Sequence, residues 1–581
     1  MILFNNLKAK KFLPYFLICS FLVLVALFLF LGEHQRLMFN DGISPSLSAQ
    51  FHLENFSASW SSIRFGSPSS FHPFDLFIYL VFSLTGNAVI TQQVIAVIPF
   101  LLGSLFMFYF LNNTDIISSK LVKFFISLFY GFNTFFIKSL GGATSLNFTY
   151  AFLPLIVFYS IRLCFCKKNQ RIVNTIKLAL SLTLATILNS QALFLAVLLV
   201  APFLMFIFIF NPNKLFTNGK DRLRVLFYFS LFLLLYFLLT IEISFPYINL
   251  LISGGVEGVF QGVRGVSSGI MVNSGWYKST YPLIISPFLL NSYGLSNNWL
   301  ALNCLIAVFT IFSFGLADKK RRFYFLVNLI IILVYSFIIN LIIVNNNLAN
   351  LIYSKFFIFR LFVEPAKWAY LLIIPVCLLI GLSLDTFLIK LKNHLLVKRL
   401  GFIFLLAILF SSSFYSLYNK KISFNAELIC GQGGNHVVPF REPVYADEIR
   451  QDINSARQRE GIFRVLWLPS DGASNYFKGK DFYSYIFPSS YPQINNYFIN
   501  TFDGLEKNGS FNIRKTLRIF NIKYIVVLKK IKHPQSPGIW YYQGIPQFII
   551  GNPESFISYL NLQKGIDVYK NTEDYIIYRV L

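Results

Sequence analysis

Charged residues are scarce in this chain of 581 residues. Asp, Glu, Lys and Arg together make up 13% of it, about half the share found in an ordinary soluble domain. Hydrophobic residues make up 55%, and phenylalanine alone occupies 68 positions. A water-soluble fold of this length could not bury so much apolar surface. The composition therefore excludes a soluble enzyme and predicts an integral membrane protein.

Several motifs with a defined chemistry are also missing. The sequence has no Walker A loop, no GxGxxG loop before a helix, no HExxH zinc motif and no GxSxG nucleophile motif. Its six cysteines lack zinc-ligand spacing and lie mostly in apolar runs, which excludes a disulfide framework. We therefore expect no cofactor and no tightly held metal. A loosely bound divalent cation is still compatible with the sequence.

Long apolar stretches recur between residues 12 and 418. Eleven are long enough for a helix to cross about 30 Å of hydrocarbon. They are 12–32, 90–111, 121–138, 147–165, 173–190, 192–210, 225–245, 299–317, 323–344, 367–388 and 400–418. The first could be a signal peptide, but its apolar core is too long and no small-residue cleavage site follows, so we expect a retained anchor.

Clusters of lysine and arginine test this topology independently. Lys8, Lys10 and Lys11 precede the first crossing, which places the N-terminus in the cytoplasm by the positive-inside rule. Alternating crossings bring the other dense clusters to the same side, at 120–123, 167–171, 214–224, 319–322 and 390–399. Much of the net charge of +25 is therefore a topology signal, and no nucleic-acid partner is expected. The predicted location is the plasma membrane, with many crossings.

An odd number of crossings places residues 419–581 on the extracytoplasmic side. Strand patterns at 463–468, 522–528, 566–569 and 575–580, with a helical pattern at 446–457, predict a compact α/β domain there. The predicted fold is thus a polytopic α-helical membrane domain over residues 1–418, followed by an extracytoplasmic α/β domain over residues 419–581.

Three outer loops are too long for simple turns. They cover residues 33–89, 246–298 and 345–366. Within the first, the apolar segment 73–86 is too short to cross the bilayer, so we predict a helix lying in the interface. Segment 282–290 is expected to behave likewise.

Acidic residues on the outer side are few, which makes each one a candidate for chemistry. Asp41 lies nine residues beyond the first crossing, where a carboxylate could accept a proton from a hydroxyl beside a lipid-borne substrate. The surrounding Asn40-Asp41-Gly42 is equally typical of a simple turn. Glu54 is the reserve candidate for the same role.

A second acid lies within a crossing. Glu242 falls in the outer turn of its span, where an ionisable residue is a functional candidate by default. It could instead pair with Lys278 or Arg264. Three further candidates lie in the first outer loop: Arg64 and His72, which could contact phosphate, and Asp75. An interfacial structural role is the alternative for His72.

Two cations and an acid precede the tenth crossing at helical spacing. Arg360, Glu364 and Lys367 are four and three residues apart, which places them on one helix face. Arg360 and Lys367 could hold a lipid phosphate, the first through its planar fork and the second as a point charge. The alternative is an ion-pair ladder anchored at the headgroups.

Several short segments resemble one group of membrane proteins. They are Trp-Ser-Ser-Ile-Arg-Phe-Gly-Ser-Pro at 60–68 with Pro-Phe-Asp at 73–75, Phe-Val-Glu-Pro-Ala-Lys at 362–367, and the tail segments 464–469, 521–527 and 568–571. In these segments, and in its whole layout, the chain resembles the GT-C superfamily of polytopic membrane glycosyltransferases, in particular its arabinofuranosyltransferase-like and YfhO-like members. Val363 stands where that group has an arginine, and Arg360 lies one helical turn earlier.

The resemblance implies a function. A sugar would move from a polyprenyl-phosphate donor to a glycan, glycolipid or glycoprotein acceptor on the outer side of the membrane. Asp41 would match the catalytic base, with Glu54 in reserve. The resemblance implies substrate-binding roles for Arg64, His72, Asp75, Glu242, Arg360, Glu364 and Lys367.

The sequence is also compatible with two other functions. A transporter or flippase for lipid-linked saccharides would also need an outer cavity, but it requires a polar path across the bilayer. A non-catalytic assembly protein for surface polymers would use the α/β tail as a binding module. In that case the outer acids need not converge on one pocket.

Overall fold

Helices account for most of the chain up to residue 424. The computed structural model describes residues 7–30, 35–37, 60–61, 67–68, 73–133, 137, 144–165, 168–188, 192–210, 219–252, 297–344, 365–391, 394–424, 439–441, 445–461, 463–468, 482–483, 513–519, 521–529 and 553–581. Helices α1 to α12 are Leu7–Phe30, Pro73–Thr85, Ala88–Asn112, Lys120–Gly131, Thr144–Phe165, Lys168–Leu188, Ala192–Phe210, Gly219–Ile252, Asn297–Leu316, Lys319–Val344, Pro365–Lys390 and Leu395–Phe424.

A helix lies at each predicted crossing and at the predicted interfacial segment, where α2 is Pro73–Thr85. The largest difference is at 121–138, because α4 ends at Gly131. By length and composition, 5 of the described helices can cross a membrane, at Gln93–Asn112, Leu146–Phe165, Arg224–Ile241, Tyr370–Lys390 and Leu395–Tyr415. A polytopic membrane fold is therefore confirmed, whereas the number of eleven crossings stays a prediction. Segment 282–290 lies outside the described residues.

Contacts between aromatic rings show the direction of the first helices. Tyr15, near the start of α1, packs on Phe108 near the end of α3, with ring centroids 4.9 Å apart. Phe21, further along α1, packs on Phe132 just beyond α4, at 5.4 Å. Helix α1 therefore runs antiparallel to α3 and parallel to α4.

Helix α12 runs in the same direction as α4. Its Phe402 packs on Phe125 in the middle of α4, and its Phe414 packs on Phe132 beyond the end of α4. Helices α1, α4 and α12 therefore end on the same side of the bundle.

A buried carboxylate organises one end of the bundle, which we call the Asp385 end. Asp385 in α11 is 0% exposed and accepts hydrogen bonds from the backbone N–H groups of Ser118 at 3.0 Å and Ser119 at 2.8 Å. Arg321 Nη2 lies 3.3 Å from its Oδ2, and the Nη1 of the same guanidinium pairs with Asp318. The backbone N–H of Arg321 donates to Asp318 and holds the pKa of that carboxyl below its ordinary value.

The Asp385 end gathers three of the basic clusters predicted to be cytoplasmic. These are the clusters at 120–123, 319–322 and 390–399, which lie at the start of α4, the start of α10 and around the end of α11. Arg162 near the end of α5 also donates to the carbonyl of Asn113, which follows α3. The structure thus places these clusters together, and the cytoplasmic assignment of this end stays a prediction.

A short pair of strands lies beyond the ends of α1 and α12. Strand β1, Gln35–Leu37, pairs antiparallel with strand β4, Pro439–Arg441. Backbone hydrogen bonding cannot bridge a bilayer. The start of the first long loop and the start of the C-terminal segment therefore lie on the same side of the membrane, as the predicted topology requires. A second pair, β2 at Trp60–Ser61 and β3 at Ser67–Pro68, lies within the first loop.

The C-terminal segment forms a five-stranded mixed sheet with helices on both faces. Strands β5 to β9 are Arg464–Leu468, Phe482–Tyr483, Ile522–Leu528, Ile566–Asn571 and Tyr575–Val580, in the order β6-β5-β7-β9-β8. Strands β5, β6 and β7 are parallel, whereas β9 is antiparallel to β7 and β8. The predicted strands and helix are present in this α/β unit. Its extracytoplasmic location and the domain boundary at 419 stay predictions.

Alternate residues of the central strands lie on opposite faces of the sheet, and helices pack on both faces. Helix α13, Tyr445–Glu460, packs on one side through Ile449 and Ile453 against Val526. Helices α14, Ile513–Ile519, and α15, Pro553–Asn561, pack on the other through Leu517 and Leu560. Strand β7 is buried on both faces, as expected of a central strand in a sheet that helices cover on both sides.

Glu460 joins the end of α13 to the sheet. Its carboxylate accepts hydrogen bonds from Tyr524 and Arg579, both at 2.8 Å, and lies 3.6 Å from Lys523 Nζ. Burial opposes the charged form, but the Tyr524 hydroxyl and the two cations outweigh it and hold the pKa of Glu460 below its ordinary value. Burial and the same hydrogen bond raise the pKa of Tyr524 to about 12.

Gly131 marks a close approach between α3 and α4. A methyl group there would lie 2.5 Å from the carbonyl oxygen of Phe100 and would overlap the hydroxyl of Ser104. We expect Gly131→Ala to lower the free energy of unfolding by roughly 1–3 kcal/mol, because the helices must separate to admit it. Gly315→Ala is the matched control, since nothing lies within 4 Å of its new methyl group. Equal thermal stability of both variants in detergent would contradict this packing.

Candidate functional site

Two stacked tyrosines hold α4 to α5 at the end of the bundle opposite Asp385. The rings of Tyr130 and Tyr150 are 4.3 Å apart and inclined by 12°. Each hydroxyl donates to the backbone carbonyl of the other residue, at 2.7 and 2.6 Å. Asn133 Nδ2 donates to the Tyr130 carbonyl at 2.7 Å and to the Tyr150 hydroxyl at 3.0 Å. This reciprocal pairing fixes the end of α4 against the start of α5.

The start of α11 joins the same cluster. The Tyr370 hydroxyl donates to Asn147 Oδ1 at 3.0 Å, and its ring lies 5.7 Å from that of Tyr150. We call this end of the bundle the Tyr370 end, and we call Tyr130, Asn133, Asn147, Tyr150 and Tyr370 the tyrosine cluster. All five side chains are buried. Lys367 lies three residues before Tyr370 in α11, so its backbone is at this end.

Helix α2, which was predicted to lie in the interface, is also at the Tyr370 end. Its Phe74 and Phe77 pack on Phe148, with ring centroids 5.7 and 5.5 Å away. Phe148 follows Asn147 of the tyrosine cluster, and Asp75 follows Phe74. The structure therefore brings the backbone positions of Asp75 and Lys367 to the same end of the bundle.

Glu242 belongs to the half of α8 nearer this end. Thr186, near the end of α6, hydrogen-bonds Tyr236 of α8 at 3.0 Å. Glu242 follows Tyr236 by six residues in the direction of the Tyr370 end.

The remaining predicted site residues lie outside the described residues. They are Asp41, Glu54, Arg64, His72, Arg360 and Glu364, and their roles stay predictions. Strand β1 lies beyond the end of α1, and its last residue is four residues before Asp41. Arg64 falls in the five-residue connection between the paired strands β2 and β3.

Comparison with solved structures identifies the architecture. The arabinofuranosyltransferase AftD from Mycobacteria matches with a TM-score of 0.60 and 13% sequence identity, over 97% of this chain and 40% of AftD. ArnT from Cupriavidus metallidurans, in its apo state, matches with a TM-score of 0.50 and 11% identity, over 99% of this chain and 98% of ArnT. The chain therefore has the fold of these membrane proteins, the GT-C fold.

The GT-C fold confirms the resemblance drawn from the sequence motifs, as a likeness of architecture. The chain spans about two fifths of the length of AftD. No protein-family profile and no curated protein matches the sequence.

Charges inside the GT-C fold are confined to one end of the described bundle. Among the described side chains of the helical part, the buried charged ones are Lys123, Arg171 and Asp385, all at or near the Asp385 end. No group of three or more His, Cys, Asp or Glu side chains that could hold a metal ion occurs among the described residues.

The tyrosine cluster was not anticipated from the sequence. Its members are scattered among 31 tyrosines and many asparagines, and Asn147 and Tyr370 are 223 residues apart. The sequence feature that could have indicated the cluster was the pair of asparagines, Asn133 and Asn147, placed within or beside apolar stretches. A buried amide in a membrane helix needs a partner, which makes it a position to examine.

Removing one hydroxyl tests the cluster. We expect Tyr370→Phe to lower the free energy of unfolding by about 1–2 kcal/mol, because Asn147 loses a buried hydrogen bond while the ring packing is kept. Tyr418→Phe is the control, since Tyr418 is exposed near the end of α12 on the same side of the bundle. Thermal unfolding in detergent measures both, and an unchanged Tyr370→Phe would argue against the assigned bond.

Proposed function

We propose that this chain is a membrane glycosyltransferase that moves a sugar from a polyprenyl-phosphate donor to an acceptor on the outer side of the membrane. The observation that supports the proposal is that the backbone positions of Asp75, Glu242 and Lys367 lie towards one end of a GT-C fold, the Tyr370 end. Strand β1 lies at this same end, and the segment that contains Asp41 follows it in the sequence.

The physical reason lies in the carrier. A polyprenyl chain stays in the bilayer, so its phosphate remains at the headgroup level. The enzyme must therefore present its base and its cations at that depth, where helices begin and end. In this proposal, Lys367 and Arg360 bind the phosphate oxygens through charge-assisted hydrogen bonds.

Asp41 is the proposed base. Its carboxylate takes the proton from the acceptor hydroxyl as the hydroxyl oxygen bonds to the anomeric carbon. The bond from that carbon to the phosphate oxygen breaks, and its electron pair leaves with the polyprenyl phosphate. Lys367 and Arg360 stabilise the charge that develops on the leaving phosphate. A single displacement inverts the anomeric configuration.

ArnT gives one example of a carrier in a protein of this fold. A structure of ArnT from Cupriavidus metallidurans contains undecaprenyl phosphate. That complex matches the present chain with a TM-score of only 0.36. The donor class proposed here therefore depends on the membrane location of the site and on the sequence resemblance.

Deletion of the gene tests the proposed function. Mass spectrometry of surface glycans from cells lacking the protein should show the loss of one sugar, and a lipid extract should show accumulation of the matching polyprenyl-phosphate sugar. Cells complemented with the wild-type chain should return to normal on both counts. Loss of the sugar without any lipid-linked precursor would favour an assembly protein, and unchanged glycans would reject the proposal.

A further inference from the structure

Helix α6 has a lysine on a face that is otherwise apolar. Lys177 is exposed, and so are Val173, Ile176 and Leu180, each between 44% and 49% exposed. They lie four and one residues before Lys177 and three after it, which places all four side chains on one face of the helix. Only two residues separate α6 from α5, which is long and apolar enough to cross a membrane, and α6 runs back along it. In a membrane, this face of α6 therefore contacts lipid.

The ammonium group of Lys177 leans towards the Asp385 end. Its Nζ lies 5.8 Å from the centre of the Tyr159 ring. Lys177 is nine residues from the first residue of α6, whereas Tyr159 is only six residues from the last residue of α5. The side chain thus points back towards the start of α6, as long helical side chains do. A lysine among lipid-facing residues reaches the nearest headgroups in this way.

A second cation lies beside the same aromatic rings. Arg162 Cζ is 5.4 Å from the centre of the Phe158 ring, and the rings of Phe158 and Tyr159 are 5.1 Å apart. Arg162 Nη2 donates to the carbonyl of Asn113, just beyond α3, at 3.2 Å. Arg162 is exposed, like Lys177. The two cations therefore flank one group of aromatic rings, close to where α3 ends and α6 begins.

Tyr109 of α3 completes this group. Its ring lies 5.4 Å from that of Phe158, and its hydroxyl accepts a hydrogen bond of 3.4 Å from the Tyr159 hydroxyl. The proton of the Tyr109 hydroxyl is therefore left for another acceptor. Tyr109 is three residues before the end of α3, which is the depth of the headgroups for a helix that crosses the bilayer. We call Tyr109, Phe158, Tyr159, Arg162 and Lys177 the rim cluster.

Neither cation of the rim cluster has a carboxylate partner in the described part of the chain. The ion pairs described for the helical part involve Arg321 instead. Asp115, which follows Asn113 by two residues, acts electrostatically on Lys123 of α4 and Tyr324 of α10. An anion from outside the chain can therefore bind here, and the anion present at this depth is the phosphate group of a lipid.

We propose that the rim cluster binds the phosphate group of one anionic phospholipid from the leaflet at the Asp385 end. Arg162 and Lys177 bind phosphate oxygens, and the Tyr109 hydroxyl donates to a further oxygen. The acyl chains lie along the exposed apolar face of α6. The lipid thereby joins α3 to the helix pair α5 and α6. This leaflet is opposite the end proposed for sugar transfer, so the lipid site does not depend on that reaction.

Native mass spectrometry of the full chain in detergent tests the proposal. The delipidated chain is titrated with phosphatidylglycerol, or with phosphatidylcholine of the same acyl chains. We expect the first phosphatidylglycerol to bind at a concentration at least about tenfold lower, because a lysine or arginine near anionic lipid contributes roughly fivefold. Glycerol 3-phosphate, which offers a phosphate without acyl chains, should not displace the lipid at equal concentration.

Variants locate the binding. Arg162→Gln/Lys177→Gln should bind the two lipids equally, and Lys177→Gln alone should lose about fivefold of the preference. Lys120→Gln/Arg399→Gln is the matched control, since it removes two exposed cations from α4 and α12 at the same end, and it should keep the preference. A wild-type chain without preference, or equal loss in both double variants, would overturn the proposal. Displacement of the lipid by glycerol 3-phosphate would also overturn it and assign the cluster to a soluble anion.

Discussion

Replacing Asp41 with asparagine is expected to lower the rate of sugar transfer at least about 100-fold, the usual contribution of a positioned general base. The amide keeps the size and polarity of the carboxylate but cannot accept the proton of the acceptor hydroxyl. Binding of the lipid-linked donor should remain, because the proposed phosphate contacts are made by Lys367 and Arg360. The abundance of the protein in the membrane should also be unchanged.

Initial rates in membranes with equal amounts of protein measure this effect. Asp115→Asn is the matched control, since Asp115 is an exposed aspartate at the Asp385 end, on the opposite side of the bundle. It should retain wild-type activity. An Asp41→Asn variant with full activity would remove Asp41 from the mechanism, and Glu54→Gln would then be the next variant to measure.

Replacing Asp385 with alanine is expected to lower the free energy of unfolding by about 3 kcal/mol. The carboxylate is 0% exposed and serves three donors from two other segments of the chain. Its loss leaves the backbone N–H groups of Ser118 and Ser119 without this acceptor and removes a partner of the Arg321 guanidinium. These bonds are partly buried, so the donors that lose this acceptor also pay part of their desolvation penalty.

Thermal unfolding in detergent, followed by the loss of monomeric protein, compares Asp385→Ala with Asp115→Ala. Both substitutions remove one negative charge from the same end of the bundle, but Asp115 is exposed. We expect a clear loss of stability only for Asp385→Ala. Similar behaviour of the two variants would show that the hydrogen bonds to Asp385 are not important for the fold.

The helices could be predicted closely because a bilayer leaves the backbone few choices. A segment that crosses hydrocarbon must satisfy its own N–H and C=O groups, so apolar length alone identifies a helix. The central strand β7 was predicted at 522–528 and is found at Ile522–Leu528, because a run of β-branched and aromatic residues between polar positions is specific to a buried strand.

Contacts between distant segments could not be predicted in the same way. The sequence placed Asp385 near the cytoplasm, but nothing in it indicated Ser118 and Ser119 as partners more than 260 residues away. Strands β1 and β4 have three residues each, too few for an alternating pattern. Their pairing depends on where α1 and α12 end, which is a property of the assembled bundle.

For the candidate site, too, the sequence indicated some features and not others. The scarcity of outer acids was enough to select Asp41, Asp75 and Glu242 from the sequence. The fold places the backbone positions of the last two at one end of the bundle, and their roles stay predictions. Asp41 stays a prediction, because it lies outside the described residues.

Direct turnover of the donor tests the central claim. The polyprenyl-phosphate sugar that accumulates in cells lacking the protein is added to proteoliposomes containing the purified chain and an extract of the sugar-deficient surface glycan. We predict that mass spectrometry will detect free polyprenyl phosphate and a glycan heavier by one sugar, with neither product from the Asp41→Asn variant. A carrier that remains chemically intact, whether or not it changes leaflet, would contradict glycosyl transfer by this chain.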